Sequence, residues 1–142
     1  MYKTILLAVD LTAESSWRKA LPVAIAQCEA FGARLHILNV VPDVSDLMVS
    51  QYFPHGYEDK IVAEATKELT AFATTHVPAA VPTETDVAHG TIYEEIIQAA
   101  DRVDADLIVM AAHRPELSDY LLGPNASRVI RHCSRSVLVV RE

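Results

Sequence analysis

The stretch Ile5-Leu6-Leu7-Ala8-Val9 is apolar at every position. A strand with one wet face alternates apolar and polar residues, whereas a strand buried on both faces reads as an unbroken apolar run. Ala105-Asp106-Leu107-Ile108-Val109-Met110-Ala111 repeats the signature. Leu35-His36-Ile37-Leu38-Asn39-Val40-Val41 approximates it, and Ser136-Val137-Leu138-Val139-Val140 closes the chain in the same way. Thr83 to Ala88 alternates only weakly, as an edge strand does. The segments between these runs have helical period. From Glu14 to Phe31, Trp17, Leu21, Ala24, Ile25, Cys28 and Phe31 share one face, and Gly32 stands where a left-handed C-terminal cap belongs. Residues 57–76 place Ile61, Ala65, Leu69 and Phe72 on one stripe. Gly90-Thr91 supplies a turn and an N-cap for a helix through Ile92, Ile96, Ile97 and Ala100, and a short helix fits 124–133. Residues 42–56 and 112–123 read as loops.

Strands that alternate with helices pair in parallel through right-handed crossovers, and the helices cover both sheet faces. The expected fold is a doubly wound five-stranded parallel α/β sheet of order 3-2-1-4-5. Its first and fourth strands are neighbours whose onward connections diverge, so the default ligand crevice lies beyond Ala8-Val9-Asp10 and Met110-Ala111-Ala112-His113-Arg114.

Composition narrows the function. The 142 residues carry 12 Lys+Arg against 19 Asp+Glu, a formal charge of −7, and half of the chain (51%) is hydrophobic. One domain is expected at this length. The acidic balance speaks against nucleic-acid or membrane-surface binding, which need clustered positive charge. No apolar run approaches the ~20 residues of a membrane span. The N-terminus moves straight into a strand without a secretory leader pattern. Two cysteines, Cys28 and Cys133, are too few for a disulfide scaffold. A cytoplasmic protein is the expectation.

Chemistry concentrates between Met110 and Ser127. Gly123 permits close backbone approach, and Pro124 suits a first helical turn, where its missing N–H costs the helix nothing. The N–H groups and positive dipole end that follow, at Asn125, Ala126 and Ser127, suit a phosphate, and Arg114 with His113 lies on the approach. A ligand-free strand–loop–helix connection has the same local signature. His132 and Cys133 are adjacent on a helix and diverge by roughly 100°, which makes a poor metal pair. The remaining histidines lack metal-ligand spacing, and the cysteines suit core positions. Glu94-Glu95 and Glu64/Glu68 look like solvated helix faces. There is no nucleophile elbow, Walker A loop or dinucleotide fingerprint.

Met110-Ala111-Ala112-His113-Arg114-Pro115, Tyr120-Leu121-Leu122-Gly123-Pro124-Asn125-Ala126-Ser127, Val129-Ile130-Arg131-His132 and Ser136-Val137-Leu138-Val139-Val140 together resemble the universal stress protein family. Ile5-Leu6-Leu7-Ala8-Val9-Asp10, Leu35-His36-Ile37-Leu38-Asn39-Val40 and Gly90 extend the resemblance over the whole chain, most closely to small single-domain bacterial members of the F/G type. The resemblance implies the 3-2-1-4-5 sheet, homodimers formed through the C-terminal strand, ATP binding, and no dedicated substrate reaction. ATP-binding members carry Gly, two residues, Gly, nine residues, Gly, then Ser or Thr. Here Ala111 and Arg114 replace the first two glycines, the spacer Pro115–Leu122 has eight residues, Gly123 keeps the third glycine, and Pro124 replaces the hydroxyl residue. The resemblance also places Asp10 and the backbone of Val40 beside the base. Asp10 has a second reading, as a cap of the first helical region alongside Thr12.

The expected function is an ATP-binding regulatory dimer of the stress response, with a protein signalling partner and at most slow hydrolysis or self-phosphorylation. The nucleotide is ATP or AMP, with magnesium. The expected contacts are Ala8, Val9, Asp10, Val40, Met110, Ala111, His113, Arg114, Gly123, Pro124, Asn125, Ala126 and Ser127. The alternative is a protein-interaction module of the same fold whose nucleotide site is degenerate, a reading favoured by Pro124.

Overall fold

The computed structural model describes residues 1–42, 56–112 and 123–141. Five strands, β1 (Thr4–Val9), β2 (Arg34–Pro42), β3 (Thr83–Gly90), β4 (Leu107–Ala112) and β5 (Ser136–Arg141), alternate with four helices, α1 (Ala20–Phe31), α2 (Tyr57–His76), α3 (Ile92–Arg102) and α4 (Gly123–His132). All strand pairs are parallel and the sheet order is β3-β2-β1-β4-β5, as the sequence predicts. The central register sets Ala8 opposite Leu38 and Leu7 opposite Val109.

The unbroken apolar run of β1 divides by parity between two cores. Ile5, Leu7 and Val9 pack with Ala20, Leu21, Ala24 and Cys28 of α1 and with Leu69 and Phe72 of α2. Leu6 and Ala8 face the other way, onto Ile96, Ala99 and Ala100 of α3 and Ala126 and Val129 of α4. Side chains of a strand point to opposite faces in turn, so both faces are covered only when every position is apolar. Full burial of each Leu, Ile or Val contributes about 1.5–3 kcal/mol.

The first helix begins later than its apolar period suggests. Glu14–Ser16 forms a short 3-10 turn, and α1 starts only at Ala20. Pro22 explains the difference. A helix running from Glu14 would place Pro22 in its interior, where it lacks a hydrogen-bonding N–H and its ring clashes with the preceding turn. Started at Ala20, the helix puts Pro22 in its first turn, where no N–H is required. Gly32 ends the helix with φ +64, and Ala33 N–H reaches Cys28 O at 2.9 Å. Phe31 is partly exposed instead of core, with its ring edge-on to Tyr2 at 5.1 Å.

The end of the sheet opposite the strand exits is tied by charge. Arg135 binds Asp101 and Asp104 at 3.1 Å each and donates to Ala105 O, joining the α3–β4 and α4–β5 connections. Asp106 Oδ2 accepts the N–H groups of Lys3 and Thr4 at 2.7 and 2.9 Å, which hold its carboxyl below the usual range. His36 is buried on β2, and desolvation lowers its pKa despite Asp86 and Glu84 beside it, so the ring is neutral at pH 7. Cys28 is a core thiol, pushed up to about 11 by burial. No described helix is long and apolar enough to cross a membrane.

Candidate functional site

β1 and β4 are neighbours, yet β1 leads to α1 on one face and β4 to α4 on the other. Their exits therefore separate, and a crevice opens at the C-terminal edge of the sheet. Asp10 stands at the β1 exit. Its Oδ1 accepts the N–H and the hydroxyl of Thr12 at 3.0 and 2.7 Å. Its Oδ2 is buried and has no hydrogen-bond partner among the described residues. A buried acceptor without a donor costs about 1–3 kcal/mol, more when charged, so this oxygen has an unused capacity to accept a hydrogen bond.

Beside it is an open cleft of about 550 Å³, lined on the sheet side by Asp10, Leu11, Thr12, Asn39, Val40 and Val41. The opposite wall is α2, through Lys60, Ile61, Glu64, Ala65 and Glu68. Its floor is mostly apolar and its charged groups are three carboxylates against one ammonium. Such a lining suits a flat, neutral ring with N–H donors.

Of the expected contacts, Asp10 and Val40 meet in this cleft. Ala8, Val9, Met110 and Ala111 are core residues with exposures of 2, 3, 0 and 5%, so almost none of their surface is open. Gly123 opens α4, and Pro124 and Ser127 are exposed on its first turn. Asn125 and Ala126 are buried. The Asn125 side chain turns toward α3, where Oδ1 accepts the Tyr93 N–H at 3.1 Å. It thus caps a neighbouring helix, and Thr91, the expected N-cap of α3, makes no side-chain capping bond. His113 and Arg114 lie outside the described residues.

The α2 wall is absent from the sequence-based site. Glu64 and Glu68 read as solvated, and only the four-residue spacing from Lys60 through Glu64 to Glu68 signals a shared stripe. Asn39, buried within β2, also lines the cleft and escaped the sequence reading. Among the described residues no group of three or more His, Cys, Asp or Glu could hold a metal ion.

Comparison with known proteins decides the family, because the universal stress protein family model matches residues 1–141. The chain belongs to the universal stress protein family. Universal stress protein G of Escherichia coli O157:H7 is 31% identical over 143 aligned residues, covering 99% of this chain and all of that protein. Among solved structures, a universal stress protein in complex with cAMP is similar over 99% of this chain and 97% of its own, with a TM-score of 0.61 and 26% identity. The universal stress protein of Archaeoglobus fulgidus in complex with dAMP shares the fold, covering 97% of each chain with a TM-score of 0.67 and 18% identity.

Proposed function

We propose that this chain is an ATP-binding universal stress protein, acting in the cytoplasm as a homodimeric regulator of the stress response. The observation that carries the reading is the buried, unpartnered Oδ2 of Asp10 on the wall of a mostly apolar cleft. Relatives solved with cAMP and dAMP support an adenine nucleotide as the ligand class. In this reading the base lies near Asp10 and Val40, beyond Ala8 and Val9, the ribose lies near Met110 and Ala111, and the phosphates lie between Arg114, with His113, and the first turn of α4 at Gly123, Pro124, Asn125, Ala126 and Ser127. Magnesium is carried by the phosphates. Hydrolysis or self-phosphorylation is at most slow in this reading, since among the described residues no nucleophile with an activating base converges on the crevice. β5 carries Val137, Leu138, Val139 and Val140 on an edge of the sheet, and pairing of two such edges across a two-fold axis covers them.

Pro124, exposed at the start of α4, favours the second reading, an interaction module that has lost its nucleotide. It offers neither N–H nor hydroxyl, and each charge-assisted hydrogen bond is worth about 1.5–3 kcal/mol. Isothermal titration with Mg-ATP separates the two. Weak binding that tightens in Pro124→Ser, and that Arg114→Ala loosens for ATP more than for adenosine, supports the nucleotide reading. No heat in either the parent or Pro124→Ser establishes the interaction module.

A further inference from the structure

Asp10 leaves β1 into a turn closed by two main-chain bonds, Ala13 N–H to Asp10 O and Ser16 N–H to Ala13 O, each 3.0 Å. The hydroxyl of Ser16 sits inside this turn, 1% exposed. Its Oγ accepts the Asp10 N–H at 2.8 Å and is within donating distance of Asp10 O at 2.9 Å and Ala13 O at 2.7 Å. A hydroxyl has one proton to give, so the two carbonyls share it. The main chain of Asp10 is thereby held at both its N–H and its C=O.

The side chain is held next. Thr12 approaches Oδ1 with two donors, its N–H at 3.0 Å and its hydroxyl at 2.7 Å. With the backbone held and Oδ1 tethered, Oδ2 is the oxygen left over on a residue that lines the cleft. It is buried and unpartnered. An amino group brought there forms a charge-assisted hydrogen bond. A carbonyl oxygen brought there sets two acceptors against each other with no proton between them.

We propose that Thr12, seated on the turn that Ser16 closes, is a positioning residue that makes Asp10 a donor-selective reader, admitting a 6-amino purine and rejecting its 6-oxo analogue. The inference rests on the adenine-nucleotide reading above and assigns the source of its base selectivity. Tethering has a further consequence. In Asp10→Asn the two Thr12 donors still demand an oxygen at the Oδ1 position, which forces the amide NH2 into the place of Oδ2. The site then presents a donor, and its preference turns toward the 6-oxo base.

Titration with adenosine and inosine tests this in the full chain. The parent should favour adenosine by about tenfold or more, the span of one charge-assisted hydrogen bond. Thr12→Val should weaken adenosine about three- to tenfold and leave inosine nearly unchanged, and Thr12→Ser, which keeps the hydroxyl, should restore the parent value. Asp10→Asn should prefer inosine, and adding Thr12→Val should shrink that reversal, because the amide is then freer to flip. Thr12 is exposed, so its variants should unfold at the parent temperature. A merely structural role weakens both nucleosides alike; that result, unaltered adenosine binding in Thr12→Val, or no rescue by Thr12→Ser overturns the inference. A parent that binds Mg-ATP but does not favour adenosine over inosine overturns the inference alone, whereas no binding of Mg-ATP by either the parent or Pro124→Ser overturns the nucleotide reading itself, and the inference with it.

Discussion

Gly90 ends β3 with φ +148, opposite Pro42 and one residue before α3 is capped. Two separate costs attend Gly90→Ala, and the structure ranks them. Alanine at this positive φ is strained by about 1–3 kcal/mol. Its Cβ would also lie 2.7 Å from Glu95 Oε1 and 3.2 Å from Glu95 Cγ. The second cost is the smaller one. Glu95 is a flexible side chain with part of its surface in solvent, and moving it should cost no more than about 0.5 kcal/mol. At a urea slope of about 2 kcal/mol/M, the backbone strain alone lowers the unfolding midpoint by roughly 0.5–1.5 M. Urea denaturation followed by far-UV circular dichroism measures this directly. Adding Glu95→Ala should recover only a small part of the loss. Full recovery would place the cost in the side-chain contact and refute the claim that the backbone carries it.

Asp106 gives an acid-limb prediction. Because the N–H groups of Thr4 and Lys3 hold its folded pKa below the ordinary value, its contribution is complete above the unfolded carboxylate pKa of about 4 and is lost as pH falls through the lowered folded value. The stability gap between the parent and Asp106→Asn should therefore be constant from pH 7 to about 5 and narrow as the pH falls below about 4, and a gap that ignores pH would show that the charge is idle. Val139→Lys on the β5 edge should give monomer or precipitate by light scattering, and a parent protein that is monomeric at micromolar concentration would remove the β5 dimer from the proposal.

The strands were legible because their chemistry is local. A run such as Leu107–Ala111 has to be covered on both faces, and parallel packing between helices is what covers it. β3 gave a weaker pattern for the same reason reversed: as an edge, it has every residue from Thr85 to Gly90 only partly buried. The start of α1 was legible in Pro22, a backbone signal that the apolar spacing around Trp17 obscures. Two other features had no local signature. Asn125 meets Tyr93 across 32 residues of sequence, and only the packing of α4 beside α3 gives its side chain a role as the cap of another helix. The α2 wall of the cleft likewise depends on where α2 lies over the ends of β1 and β2. At Asp10 the expected association with Thr12 is present. Thr12 binds it through Oδ1 alone and without capping the 3-10 turn, which leaves Oδ2 without a partner.

The distribution of charge then argues for one orientation of a nucleotide in this crevice. The cleft between the sheet and α2 presents Asp10, Glu64 and Glu68 against Lys60. A like-charge pair at 4 Å costs about 1 kcal/mol in water and about 4 kcal/mol near a protein surface. A triphosphate placed there would meet three carboxylates and one cation, a net repulsion that a neutral base does not feel. The first turn of α4 has the opposite character. Its N-terminal dipole end is positive, no acidic residue lies in that turn, and Ser127 adds an exposed hydroxyl. Base in the acidic cleft and phosphates at α4 is therefore the arrangement in which each half of the ligand meets its complement. On the proposed orientation Pro124 would weaken the phosphate half alone, because Asp10 and Thr12 lie at the exit of β1 and not on α4.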